Sequence, residues 1–144
     1  MSGITVRVMP WAEAEPLAAP IRFAIFMQTK HPEGVEVDTR DNEYVHAVAF
    51  DEQNKAIGTG RLLPDGTISR MAVVTEWRRR GVGSQMLDAL VEEARKRGYP
   101  AVKLIAPMQA MEFYRTRGYV PDGKVEKVGD TLQQPLRKDL TAAR

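Results

Sequence analysis

Apolar and polar positions alternate with a period of two at the start of the chain, where Ile4-Thr5-Val6-Arg7-Val8 reads as a first strand. The spacing then lengthens. Residues 11–30 are mostly helical, with Ile21, Ile25 and Phe26 at core spacing. Pro16 and Pro20 are expected to break this helix, because each lacks an amide hydrogen. Residues 31–43 carry no period and form an irregular acidic segment. Residues 44–50 and 56–63 return to strand character across the turn Asp51-Glu52-Gln53-Asn54, and Pro64-Asp65-Gly66 leads into a third run, 67–74. Together they predict an antiparallel meander. The clearest helix covers 82–97, where Met86, Leu87, Leu90, Val91 and Ala94 form one stripe, the pairs Glu92/Lys96 and Glu93/Arg97 support the exposed side, and Gly98 supplies a stop. A short strand at 101–106 follows, then Pro107 as the first residue of a helix running to 117, and a closing strand or hairpin over 119–140.

The order β-α-β-β-β-α-β-α-β predicts an α/β (α+β) fold, a central mixed, mostly antiparallel twisted sheet with helices on both faces. No repeat or linker divides the chain, so residues 1–144 are read as one domain. Composition narrows the chemistry. With 43% hydrophobic residues in 144, the chain holds enough for one core. No apolar run approaches the ~20 residues that cross a bilayer, and the first residues lack the pattern of a signal peptide, so the cytoplasm is the expected location. The absence of cysteine excludes disulfides, a thiol nucleophile and thiolate metal sites; with only His31 and His46, a zinc enzyme is disfavoured. A net charge of +2 is too small to suggest a nucleic-acid stripe.

The most informative stretch is Met71-Ala72-Val73-Val74-Thr75-Glu76-Trp77-Arg78-Arg79-Arg80-Gly81-Val82-Gly83-Ser84, an apolar strand followed by a glycine-bearing turn that opens a helix. Free N–H groups and the positive dipole end of a helix attract anions, and glycines let a phosphate come close to the backbone. No Lys-Ser/Thr pair follows the second glycine, as a Walker loop requires, and Met86 stands where a dinucleotide fingerprint has its third glycine. From the turn alone, two readings stand: a phosphate cradle, or a solvated helix start.

A second segment decides between them. Arg78-x-x-Gly81-x-Gly83 preceded by Met71-Ala72-Val73, then Ala110-x-x-Phe113-Tyr114-x-x-x-Gly118-Tyr119, resembles the GCN5-related N-acetyltransferase (GNAT) family over roughly residues 4–138. The middle, from Gly58-Thr59-Gly60-Arg61 through Pro64-Asp65-Gly66 to Arg70-Met71-Ala72-Val73, is similar to its small bacterial ElaA-type branch.

The resemblance implies transfer of an acetyl group from acetyl-CoA to a primary amine, on a small molecule or a peptide, by direct attack in a ternary complex. Met71, Ala72 and Val73 match the strand that binds the pantetheine arm, and the Val73 N–H matches the donor to the thioester carbonyl. Arg78, Arg79, Arg80, Gly81, Val82, Gly83 and Ser84 match the pyrophosphate loop; Ala110, Phe113 and Tyr114 match the helix beside the cofactor. Tyr114 falls where the family carries a general acid toward the departing thiolate, or a residue that only contacts CoA. A phenol of pKa about 10 suits the first role.

The base is left open. The strand positions where the family often has a carboxylate or histidine are Thr67 and Ser69 here, so the candidates are Glu36 and Asp38 of the acidic segment, which carries five carboxylates against Arg40, and His46 on the next strand. Three departures are visible: Pro107 stands where the family usually has Asn or Gln, and Thr29-Lys30 and Gln133-Gln134 differ from the ElaA-type pattern. A catalytically silent CoA-binding or regulatory module is the alternative. A twofold homodimer, the commonest oligomer, is the expected assembly, the closing strands being offered to a second subunit.

Overall fold

A computed structural model describes residues 3–28 and 40–140, the side chains of 26–28 excepted. The elements are β1 (Thr5–Pro10), α1 (Trp11–Gln28), β2 (Val45–Phe50), β3 (Ala56–Leu62), β4 (Ile68–Val73), α2 (Val82–Lys96), β5 (Ala101–Pro107), α3 (Met111–Arg115), β6 (Val120–Pro121), β7 (Glu126–Val128) and β8 (Thr131–Asp139). They form two antiparallel sheets, one ordered β1-β2-β3-β4 and one ordered β5-β8-β6, with β7 also paired to β8. The parallel component is a single bridge between Thr67 and Lys103.

β2 shows why the helices lie on both faces. Successive side chains of a strand point to opposite sides. Ala47 and Ala49 pack into the cluster built by Val82, Met86, Leu87 and Leu90 of α2, whereas Val48 and Phe50 pack with Trp11, Ala14 and Ala18 at the start of α1. A strand covered on both faces needs apolar residues at nearly every position, as β2 has. Each large side chain so buried contributes about 1.5–3 kcal/mol.

α1 is continuous through both prolines. Trp11, Ala14, Ala18, Ile21, Arg22 and Ile25 are buried and recur at helical spacing, while Pro16 and Pro20 sit one turn apart on the exposed side. The carbonyls they deprive of a helical partner belong to Ala12 and Pro16, both exposed, so water can take the missing bonds. Burial of the opposite stripe holds the helix together.

β4 carries a bulge that the alternating pattern did not reveal. Thr59 pairs with Ala72 and Arg61 with Ser69, so Gly60 faces both Arg70 and Met71, and Arg70 takes a left-handed φ of 54°. The extra residue reverses the facing of the strand. Ile68 packs with the α2 cluster, whereas Ala72, four residues on, packs with Ile21 and Ile25 of α1.

Two expectations near α3 change. Pro107 is the last residue of β5, paired with Gln133 at an extended ψ of 149°, rather than the first residue of a helix. The helix is accordingly shorter: a 3-10 turn at Met108–Ala110, then α3. An extended proline lets the β5–β8 ladder run to its end and cannot also start a helix. The closing segment is three strands rather than one hairpin.

The two sheets are joined at a seam. The Lys103 N–H donates to the Gly66 carbonyl at 2.9 Å beside the Thr67–Lys103 bridge. Gly66 has φ of +93°, and a Cβ there would lie 2.4 Å from the Ala101 carbonyl oxygen. Only glycine fits.

Candidate active site

β4 and β5 run parallel from that seam, yet each is the edge strand of its own sheet. Among the described residues the two strands form no further bridge beyond the seam, which leaves a cleft beside β4 at Val73. A cavity of about 440 Å³ lies there, with walls that include Met71, Ala72 and Val73 of β4, the Gly81–Ser84 start of α2 with Arg78 and Arg79, and Phe113 and Tyr114 of α3. Arg80 and Ala110 do not line it. The Arg80 guanidinium lies 5.0 Å from the Trp77 ring centre, and Ala110 precedes the first turn of α3.

Backbone pairing sets the direction of the Val73 amide. The Val74 N–H donates to the Ile57 carbonyl at 2.9 Å, which makes 57 and 74 a hydrogen-bonded pair. Gly58 and Val73, the next pair, then turn their N–H and C=O groups away from each other. The Val73 N–H faces the cleft, and its carbonyl accepts from Arg78 Nε at 3.4 Å.

The start of α2 is equally open. The first helical bond runs from the Gln85 N–H to the Gly81 carbonyl, so the amides of Val82, Gly83 and Ser84 have no partner within the helix. No side chain caps them, and the first turn holds no acidic residue. Gly81 takes φ of +85°, and a Cβ on Gly81 or Gly83 would meet nothing within 4 Å. Among the described residues, no carboxylate pairs with Arg78, Arg79 or Arg80. Uncapped amides, open space and unpaired cations fit a diphosphate group.

Tyr114 faces this site from α3. Its ring meets Phe113 edge-on at 5.0 Å and Tyr119 at 5.3 Å. Burial pushes its phenol above the ordinary value of 10, with Arg117 pulling part of the way back, so the hydroxyl keeps its proton at neutral pH.

The residues expected to supply a base are divided. Glu36 and Asp38 lie outside the described residues. His46 is fully buried, meets the Trp11 ring at a tilt with centres 4.6 Å apart, and does not line the cavity. Its Nε2–H donates to the Asp41 carbonyl at 3.0 Å, which leaves Nδ1 as the lone-pair nitrogen, enclosed and without a partner among the described residues. Burial lowers its pKa, against the opposing pull of Asp41. As a proton acceptor for an incoming amine, His46 has no route to solvent or cavity.

Beside it lies an ion cluster that sequence reasoning missed. Asp41, fully buried, accepts from Arg22 Nη1 at 2.9 Å and Nη2 at 3.3 Å, and from Arg61 Nη1 at 2.9 Å. Arg61 Nε also donates to Ser69 Oγ at 2.9 Å, so one of the two strand positions considered for a base is tied to a guanidinium. Burial pushes the Asp41 carboxyl up, but the hydrogen bonds and charges of Arg22 and Arg61 outweigh it and hold the group below the usual carboxylate range. Trp11 and Tyr44 cover the two guanidinium faces. Asp41 is thus a structural anion that ties α1, β2, β3 and β4 together rather than a free member of an acidic wall. The partners stand 19 and 20 residues away, a separation at which no local pattern marks them.

β4 at Met71–Val73, the open start of α2 and the half-buried Tyr114 thus line one cavity. Comparison with known proteins gives the family. Residues 19–140 match the family described as acetyltransferase (GNAT) domain, and the chain belongs to it. It is 33% identical over 103 residues to the uncharacterized N-acetyltransferase YjcF of Bacillus subtilis, covering 69% of this chain and 73% of that protein. Two solved structures share the fold. The acyl-CoA N-acyltransferase from Pseudomonas aeruginosa aligns with a TM-score of 0.81 at 20% identity, over 94% of this chain and 99% of its own. Escherichia coli ElaA aligns at 0.79 and 18% identity, with the same coverages. The chain is therefore an acyl-CoA-dependent N-acyltransferase. No helix among the described residues is long and apolar enough to cross a membrane.

Proposed function

We propose that the protein transfers an acetyl group from acetyl-CoA to a primary amine by direct attack, and that residues 1–144 form one catalytic domain. One observation carries the reading: the Val73 N–H and Tyr114 stand on different walls of a single cavity that continues to the open start of α2. The donor, when bound, supplies an activated carbonyl carbon and a thiolate leaving group. Amides 82–84, with Arg78 and Arg79, hold its phosphates. The Val73 N–H donates to the carbonyl oxygen, where negative charge grows as the amine adds. The carbon–nitrogen bond forms, the carbon–sulfur bond breaks, and Tyr114 gives its proton to the departing sulfur. The amine's proton leaves through water or through a carboxylate of the acidic segment, for which Glu36 and Asp38 are our candidates. Without cysteine there is no thiol to carry an acyl intermediate.

The test is calorimetric titration of acetyl-CoA, CoA and 3′-dephospho-CoA, alongside a Gly83→Glu variant that sets a carboxylate over the helix start. Micromolar binding lost in the variant, with thiol release on an amine panel, is the expected result. Absence of binding in the native protein would overturn the reading. Binding with no thiol release from any amine would instead identify a CoA-binding module.

A further inference from the structure

Arg117 is a cation that neither the sequence motif nor the cavity walls account for. It follows α3 and is half-buried. Its guanidinium lies 3.7 Å from the Phe113 ring centre, its Nη1 donates to the Phe113 carbonyl at 3.2 Å, and its Nη2 donates to Ser84 Oγ at 3.4 Å. Stacking and the carbonyl bond fix two sides of the group; the third is aimed at the first turn of α2. No carboxylate pairs with it among the described residues.

Electrostatically this placement is unfavourable as it stands. A helix start carries partial positive charge on its unpaired amides. Holding a half-buried guanidinium against it, with no carboxylate paired to it among the described residues, sets like charge against like, and an anion between them relieves both. Ser84 completes the arrangement: its oxygen accepts from Arg117, which leaves the hydroxyl hydrogen to donate elsewhere. A planar guanidinium thus meets the Ser84 hydroxyl in the turn whose amides have no partner within the helix. Asp88, one turn beyond Ser84 on α2, is exposed and forms no ion pair with Arg117, so the position stays open to a phosphate oxygen.

We infer that Arg117, with Ser84, is a ligand for the diphosphate of the acyl donor, which pins α3 to α2 when the donor binds. The inference rests on the acyl-CoA reading above. It also assigns a second consequence to the same contact. Arg117 partly offsets the effect of burial on Tyr114, so a guanidinium engaged with phosphate leaves the phenol a weaker acid than it is in the free protein.

The test compares wild type with Arg117→Gln and Arg117→Lys by titration with CoA and 3′-dephospho-CoA at two salt concentrations, together with ligand-free thermal unfolding. Loss of one charge-assisted contact predicts about tenfold weaker binding of both ligands in Arg117→Gln, partial recovery in Arg117→Lys, and a shallower salt dependence. The ligand-free melting temperature should stay level or rise, because like-charge repulsion is removed. Equal affinity in wild type and Arg117→Gln overturns the inference while leaving the acyl-CoA reading intact. A loss seen with CoA alone moves the contact to the 3′-phosphate and overturns it as stated. A fall of several degrees in the ligand-free protein shows a scaffold rather than a ligand. Failure of wild type to bind CoA overturns the proposed function itself, before any variant is compared.

Discussion

Tyr114 is half-buried and Asp41 fully buried, and desolvation acts on both in the same direction with opposite outcomes. For Tyr114 desolvation dominates, so the phenol stays protonated well past neutrality. A Tyr114→Phe variant should lose about 10²–10³ in kcat with little change in acetyl-CoA affinity, and wild-type kcat should not decline on the alkaline side below pH 10. An unchanged kcat in the variant would sink the acid role. For Asp41 two guanidinium groups win over desolvation. Asp41→Asn leaves Arg22 and Arg61 buried around a neutral amide, which should cost about 3–5 kcal/mol in urea denaturation. The pH dependence follows in sign. His46 is held neutral in the fold, while the unfolded chain protonates it near its ordinary 6.5, so stability starts to fall below that pH. Asp41 contributes stability above its ordinary 3.8 that is lost as the pH drops through its lower folded value. His46→Gln should flatten the decline between pH 7 and 5, a slope of at most about 1.4 kcal/mol per unit, and leave the steeper acid limb in place. The glycine turn was legible in local spacing, and Tyr114 was singled out through the family resemblance. Arg22, Arg61 and Arg117 were not. Their roles depend on which distant backbone lies opposite, and an arginine on paper looks like any solvated charge.

Among the elements, α2 was readable from its stripe because periodicity and burial agree at every position. α1 was readable as a helix but not as an unbroken one: a proline disrupts only the bonds it faces, and facing depends on which side the sheet covers. The β4 bulge left no trace in the alternation, since Ser69, Arg70 and Met71 are all partly exposed and carry no contrast. Its effect is large nonetheless, because it sets which side of β4 turns toward α1 and so brings Ile25 and Ala72 together at the cavity. The seam has a sharper test. Gly66→Ala forces a left-handed residue to carry a Cβ against the Ala101 carbonyl, which should cost about 2–4 kcal/mol. Chemical denaturation measures it. An unchanged midpoint would mean that the turn re-forms without the Lys103 bond.

At the scale of the molecule, the sequence implied the fold class but not its division into two sheets, because strand order says nothing about where pairing stops. In the proposed reading, that stopping point makes room for the donor. Ligand that binds only the folded chain stabilises it by about 2.7 kcal/mol at a hundred times Kd, so the melting temperature should rise steadily with acetyl-CoA. A flat profile would contradict the site. The splay has another side. Two strands whose outer hydrogen-bonding groups are unmatched are, on an ordinary protein surface, an invitation to other chains. Here β4 and β5 each leave one side unpaired within their own sheet and meet at the Thr67–Lys103 seam; in the reading proposed above, a slender thioester arm fills the gap beyond it. In that reading one geometry both shields the strand edges and selects the substrate. Variants that spread the gap at Gly66 should accordingly precipitate on storage before they stop turning over, as the templates hidden inside the cleft reach the outside.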